Sequence, residues 1–191
     1  MTKLFSYVVD HDYGYAPNPF GDFCSLAKCK YGASAKKRNI VEMAEIGDWL
    51  VGTGGADLNK SADHCKLIYA MRVDKIIPLV DYCHSFGDSR IDAKHDLLPE
   101  TNRFALISNH YFYFGRNAIA ISGIPSSHLQ HPFEKTGPGY RSDFCEEFIA
   151  EFAEWLSATY KVGVHGLPCK PHAELKLPVC SLHVKHQSGT Q

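Results

Sequence analysis

The chain is 191 residues long, 45% of them hydrophobic and 12% aromatic, with a formal net charge of −1. That length suits one domain with additions, that composition a full core, and the small negative charge excludes a grip on nucleic acid through bulk positive charge. No apolar run approaches the ~20 residues of a membrane span, and seven scattered cysteines, an odd number, read as thiols in a reducing compartment.

Leu4 to Val9 is a short apolar and aromatic run that predicts a buried strand. With no long apolar segment at the N-terminus, the sequence predicts a cytoplasmic protein. The next stretch, Asp10 to Gly21, holds two prolines, two glycines and an Asn-Pro pair, and so predicts a structured loop. Its aromatics Tyr13, Tyr15 and Phe20 are too many for a plain connector; such a loop either folds onto the core or lines a pocket. Ser34 to Glu45 reads as a short helix capped by Ser34, with Ile40, Val41 and Ala44 as its apolar stripe. Gly47-Asp48 turns the chain into a strand from Trp49 to Gly52, and Gly54-Gly55 opens a polar loop to about Asp63. Leu67 to Val73 is a second strand, antiparallel to the first.

From Asp81 to Arg103 the chain reads as polar and irregular. Strands are predicted at Phe104 to Ser108 and Tyr111 to Gly115, with Ala118 to Ser122 extending the sheet. A loop follows from Ser122 to Gly139. Asp143 then begins the clearest helix, running to Tyr160, with Asp143 and Glu146 as a capping pair and Phe144, Phe148, Phe152, Ile149 and Leu156 on one face. The pattern divides the chain into one α+β domain over 1–165 and an irregular extension over 166–191.

Charge is unevenly placed. Lys28, Lys30, Lys36, Lys37 and Arg38 stand without an acid among them, and Asp143, Glu146, Glu147, Glu151 and Glu154 without a base. Two solvated faces account for this as readily as a binding surface. No His and Cys set has the spacing of a closed zinc site; His128 with His131 and His183 with His186 are the nearest pairs, and no metal is expected. Cys24 and Cys29, beside Lys28 and Lys30, could be nucleophiles if His11 or His110 served as base, although buried thiols fit as well. Gly52-Thr53-Gly54-Gly55 follows a strand as phosphate loops do, but it lacks the Lys-Ser/Thr ending and the helix that should follow. In the run Tyr111-Phe112-Tyr113-Phe114, the tyrosines face one side of a strand and the phenylalanines the other. That strand is either buried on both sides or presents its tyrosines as a stacking platform.

The order of Ile46-Gly47-Asp48-Trp49-Leu50-Val51 and Ile68-Tyr69-Ala70-Met71-Arg72-Val73, helix before and loop between, resembles the centre of PUA-like barrels, the superfamily of ASCH and EVE domains. More narrowly, the chain resembles the second nucleotide modification associated domain family, found in bacteria and phages. The matching stretches are Tyr7-Val8-Val9 with Asp12 to Phe20, Cys24 to Lys30, Gly47-Asp48-Trp49 with Gly52-Thr53-Gly54, and Ser108 to Gly115. The resemblance implies a PUA-like small antiparallel β-barrel with peripheral helices and a C-terminal amphipathic helix. It also implies a role in DNA base hypermodification or phage-related nucleic-acid metabolism. The expected ligand is a nucleotide or modified nucleic-acid base, with DNA as its polymer form, and no cofactor or membrane is expected. Tyr13, Asn18, Phe20, Lys30, Thr53, Gly54, His110 and Tyr111 are the expected nucleotide-binding residues, Asn18 reading a base edge and Lys30 meeting a phosphate. An enzyme of base hypermodification and a protein-interaction subunit acting through the acidic helix, and so having a protein partner, remain as alternatives.

Overall fold

A computed structural model describes residues 1–27, 29–32, 38–94 and 103–175. In chain order its strands and helices are β1 (Leu4–Val8), β2 (Cys24–Leu26), α1 (Ile40–Met43), β3 (Trp49–Thr53), β4 (Lys66–Arg72), β5 (Lys75–Pro78), α2 (Leu79–Phe86), β6 (Phe104–Ser108), β7 (His110–Tyr113), β8 (Ile119–Ala120), β9 (Tyr140–Arg141), α3 (Glu146–Thr159) and β10 (Gly163–Val164). One seven-stranded sheet has the order β10-β7-β4-β3-β1-β9, with β8 also on β4. A three-stranded sheet has the order β2-β6-β5.

Side-chain alternation along these strands builds four layers. Leu4, Trp49, Val51, Ala70, Phe112 and Phe114 leave one face of the large sheet and pack on Phe148, Ile149, Phe152 and Leu156 of α3. Phe5, Tyr7, Leu50, Met71, Tyr111 and Tyr113 leave the other face and meet Cys24, Leu26 and Leu106 of the small sheet. The small sheet turns Ala105 and Ile107 outward onto Leu79, Tyr82 and Cys83 of α2. The sequence is therefore α+β, as expected. A barrel is not formed among the described residues: the large sheet is open, and two of its pairings, β1 with β3 and β10 with β7, are parallel.

The predicted strands fall at β1, β3, β4, β6, β7 and β8, and β3 and β4 are antiparallel. The register between them shifts after Gly52, which opposes Tyr69, while Thr53 opposes Leu67. Ile68 is the extra residue of this bulge, so Ile68 and Tyr69 both enter the same core. Tyr111 and Tyr113 are buried, so β7 is a two-sided core strand and not an open stacking platform. The stretch from Asp81, predicted irregular, begins inside α2. Helix α3 starts at Glu146, three residues later than predicted, with Cys145 at its N-cap and no side-chain cap. Asp143 instead lies 3.1 Å from His131 and 3.8 Å from Arg141.

The predicted Ser34 cap lies outside the described residues. The helix over residues 40–43 is capped instead by Asn39, whose side chain accepts from Ile40 N at 2.8 Å, while Glu42 reaches back to Asn39 N at 2.9 Å. Residues 166–175, placed in the irregular extension, run back over the Asp10–Gly21 loop: Lys170 N donates to Asp12 O and His172 N to Tyr13 O, each at 3.0 Å. Among the described residues no helix is long and apolar enough to cross a membrane.

Candidate functional site

Tyr7, Gly52, Tyr69 and Tyr113 stand in one row across β1, β3, β4 and β7, because each is the register partner of the next. Gly52 makes the row possible. A Cβ there would sit 2.5 Å from Tyr69 Cδ1 and 2.6 Å from Val9 Cγ2, so only a residue without one lets the Tyr69 ring lean across β3. The Tyr69 hydroxyl then hydrogen-bonds the Tyr7 hydroxyl, both rings being fully enclosed. Two hydroxyls carry two hydrogens; one joins the pair, and the other has no acceptor among the described residues. Tyr113, at the end of the row, donates to Asp12 Oδ1 at 2.5 Å, and Cys169 N donates to Asp12 Oδ2 at 2.9 Å. Burial pushes the Tyr7, Tyr69 and Tyr113 phenols well above their ordinary value and raises Asp12 too, although the bonds to Asp12 partly offset the latter. The tyrosines are therefore neutral donors at physiological pH.

Beside Tyr7, at one end of this row, lies a cavity of about 230 Å³. Tyr7 and the following residues Val8 to His11 form one side, Tyr13, Tyr15 and Ala16 of the loop a second, and Cys29 with Lys30 a third. His11 stacks on Tyr13 with ring centroids 5.5 Å apart, and Tyr15 meets His172 at 6.0 Å. The Lys30 ammonium stands 4.3 Å above the Tyr7 ring, and among the described residues it has no carboxylate partner. Lys30 is held there in an uncommon way: its φ is +60°, the left-handed region that costs a side chain about 1–2 kcal/mol. The Asn39 and Glu42 cap secures it. Glu42 accepts from Gly32 N at 2.9 and 3.1 Å, and Lys30 O accepts from Val41 N at 3.3 Å. Burial pushes the Cys29 thiol up to about 11 against the opposing pull of Lys30.

A second cavity, about 470 Å³, contains Asn18 and Phe20 together with Phe23, Phe86 and Arg90. Here a buried polar network does structural work. Asp92, fully enclosed, accepts from Asn18 Nδ2 at 2.6 Å, Ser25 Oγ at 2.5 Å and Tyr82 Oη at 2.7 Å. Arg90 lies 3.5 Å from Asp92 and gives its N–H groups to Tyr82 Oη, Ser25 Oγ and the carbonyls of Asn18, Phe20 and Phe23. Its guanidinium covers the Phe23 ring at 4.2 Å. With five hydrogen bonds made, Arg90 has no donor left for an anion. Across the rim Lys94 is bound to Glu174 at 2.6 Å.

The eight residues expected to bind a nucleotide do not line one cavity. Tyr13 and Lys30 share the smaller one; Asn18 and Phe20 line the larger. The Asn18 amide is engaged at both ends, its oxygen accepting from Phe20 N at 3.1 Å, and the side chain is buried. Thr53 is buried with its hydroxyl on Tyr7 O. A Cβ at Gly54 would collide with the carbonyls of Ala62 and Asp63, and the amides of Gly54 and Gly55 donate to Lys66 O and Ala62 O at 2.9 Å. These glycines permit a close backbone approach and offer no amides to a phosphate. Tyr111 donates to Pro19 O at 3.0 Å, and burial pushes its phenol up to about 12. His110, one residue earlier, lies on the opposite face of β7 against Trp49 and Phe112.

Tyr7, Tyr69, Asp12, Arg90 and Asp92 were missed by sequence reasoning. The Tyr7 and Tyr69 signal was Gly52 itself, the only small residue in a bulky strand; nothing in the sequence marks Arg90 and Asp92. No curated protein and no solved structure matches the chain. The family model for nucleotide modification associated domain 2 matches residues 1–103 and 84–175. With these two matches extending over the whole fold described, the chain belongs to the nucleotide modification associated domain 2 family.

Proposed function

We propose that the protein binds a nucleotide or modified nucleic-acid base in the cavity between the Asp10–Gly21 loop and Lys30, and serves DNA base modification as a recognition module. The observation that carries this reading is Lys30: an ammonium without a carboxylate partner among the described residues, held in a left-handed backbone at the mouth of an aromatic cavity. Strain of that kind persists where surrounding bonds impose it, and such positions gather at ligand sites. Tyr13 and Tyr15 offer ring faces to a base.

An enzyme acting through a thiolate gains no support. Burial raises both Cys24 and Cys29, the latter to about 11, so almost no thiolate is present at neutral pH. The reading is tested by calorimetric titration of the protein with nucleotides, beside Tyr13→Ala and Lys30→Met. Stacking on one aromatic ring is worth about 1–3 kcal/mol, so Tyr13→Ala should weaken binding about 5- to 150-fold. Folded variants with unchanged affinity would overturn the assignment of this cavity.

A further inference from the structure

A base that reaches a protein on a strand brings its neighbours' phosphates with it, and strand-binding grooves meet them with a track of several cations. Among the described residues the cavity beneath the Asp10–Gly21 loop has no such track. Among the described residues that line it Lys30 is the one lysine or arginine, and Asp10, which is exposed, lines it too. Lys60, whose carbonyl takes the Asp12 amide, has its ammonium on Asp57 at 2.7 Å. One flank of the loop is also closed by chain, since the backbone of residues 170 and 172 is hydrogen-bonded to Asp12 and Tyr13. At about 230 Å³ the space is smaller than the roughly 300–1,000 Å³ of sites for larger organic ligands. It has room to enclose one base, so the sugar and phosphate of a bound nucleotide would lie outside it beside Lys30.

Resting on the nucleotide-binding reading, we infer that the ligand is a free mononucleotide, one base with one phosphate monoester placed at Lys30, and not a base presented on DNA or RNA. Among the described residues that line the cavity, one cation without a carboxylate partner matches a single phosphate group. Asp10 opposes the further negative charge of a di- or triphosphate, and the aromatic side chains Tyr13 and Tyr15 are left to hold the base.

The test is equilibrium binding of the full chain to the four deoxynucleoside 5′-monophosphates, their nucleosides, their 5′-triphosphates and single-stranded and duplex 12-mers containing all four bases, at 50 and 200 mM salt. A monophosphate should bind at least tenfold more tightly than its nucleoside, and Lys30→Met should remove that advantage while leaving nucleoside binding in place. The triphosphate should bind no better than the monophosphate. Its salt dependence should correspond to about one phosphate contact. Three results overturn the inference while the nucleotide-binding reading stands: oligonucleotides binding more tightly than any monophosphate with a salt slope of several contacts, nucleoside and monophosphate binding equally, or triphosphates binding best. Failure of every probe to bind removes both.

Discussion

Gly52→Ala tests whether the tyrosine row is the keystone that the geometry describes. Gly52 is not among the residues with positive φ, so its backbone conformation is open to alanine. At a strain-free position the exchange would stabilise by about 0.4–1 kcal/mol through the unfolded chain. Here the new Cβ meets Val9 Cγ2 at 2.6 Å and Tyr69 Cδ1 at 2.5 Å, inside ordinary contact by about an ångström, and both neighbours are buried. Overpacking of this kind costs about 1–3 kcal/mol. If Tyr69 moves to relieve it, the buried hydroxyls of Tyr7 and Tyr69 part, adding about 1–3 kcal/mol for unsatisfied groups. Offset by the unfolded-state gain, the net loss is about 1–6 kcal/mol. For a chain of this size that lowers Tm by about 2–24 °C. Chemical denaturation of wild type, Gly52→Ala, Tyr69→Leu and the double variant measures it, with a coupling of at least about 1 kcal/mol between the two sites. A Gly52→Ala protein as stable as wild type, or additive single and double variants, would refute the account of the row.

Three other outcomes follow from the same structure. Lys30→Gly should be about 1 kcal/mol more stable than Lys30→Ala, because both lose the ammonium over Tyr7 but only glycine is at ease at φ +60°; equal melting temperatures would show the backbone to be unstrained. Asp92→Ala should cost about 3–5 kcal/mol by stranding a buried guanidinium, and Asn18→Ala about 1–3 kcal/mol, both read by urea unfolding and both without a specific effect on nucleotide affinity per folded molecule. Asp12, raised mainly by burial, keeps its proton in the folded state at pH values where the unfolded chain has lost it. Its contribution to stability is therefore full below about 3.9 and is lost as pH rises through the higher folded value. Asp12→Asn should remove that loss, and an unchanged pH-dependence of the unfolding free energy between wild type and Asp12→Asn would refute it.

How much of this was legible in the sequence depended on whether the signal was local. The alternating β7 run predicted which side chains share a face, and the faces are correct, but burial of both depends on a second sheet that alternation cannot announce. Helix α2 was locally visible and passed over: Leu79, Tyr82, Cys83 and Phe86 stand at i, i+3, i+4 and i+7, the spacing of one helical stripe, diluted by Asp81, His84 and Ser85. The barrel expectation failed for a different reason. A loop joining two apolar strands was correctly read as antiparallel at β3 and β4, but β1 and β3 are parallel neighbours. Parallel strands need a crossover of a dozen or more residues, and here it runs from the Asp10–Gly21 loop through β2 and α1, with no long helix among its described residues. The candidate site divides along the same line. Tyr13 and Lys30 stood out through composition and charge, and they do meet at one cavity. The family resemblance made Asn18 a reader of a base edge, through an amide that can both donate and accept. In the fold Asp92, 74 residues away in a stretch with no periodicity, takes one of the two amide hydrogens, the oxygen accepts from Phe20 N, and the side chain is buried. A polar residue in a loop is free to bind only if the fold leaves it unsatisfied, and that condition is written in the tertiary structure. Lys30 meets it among the described residues; Asn18 does not.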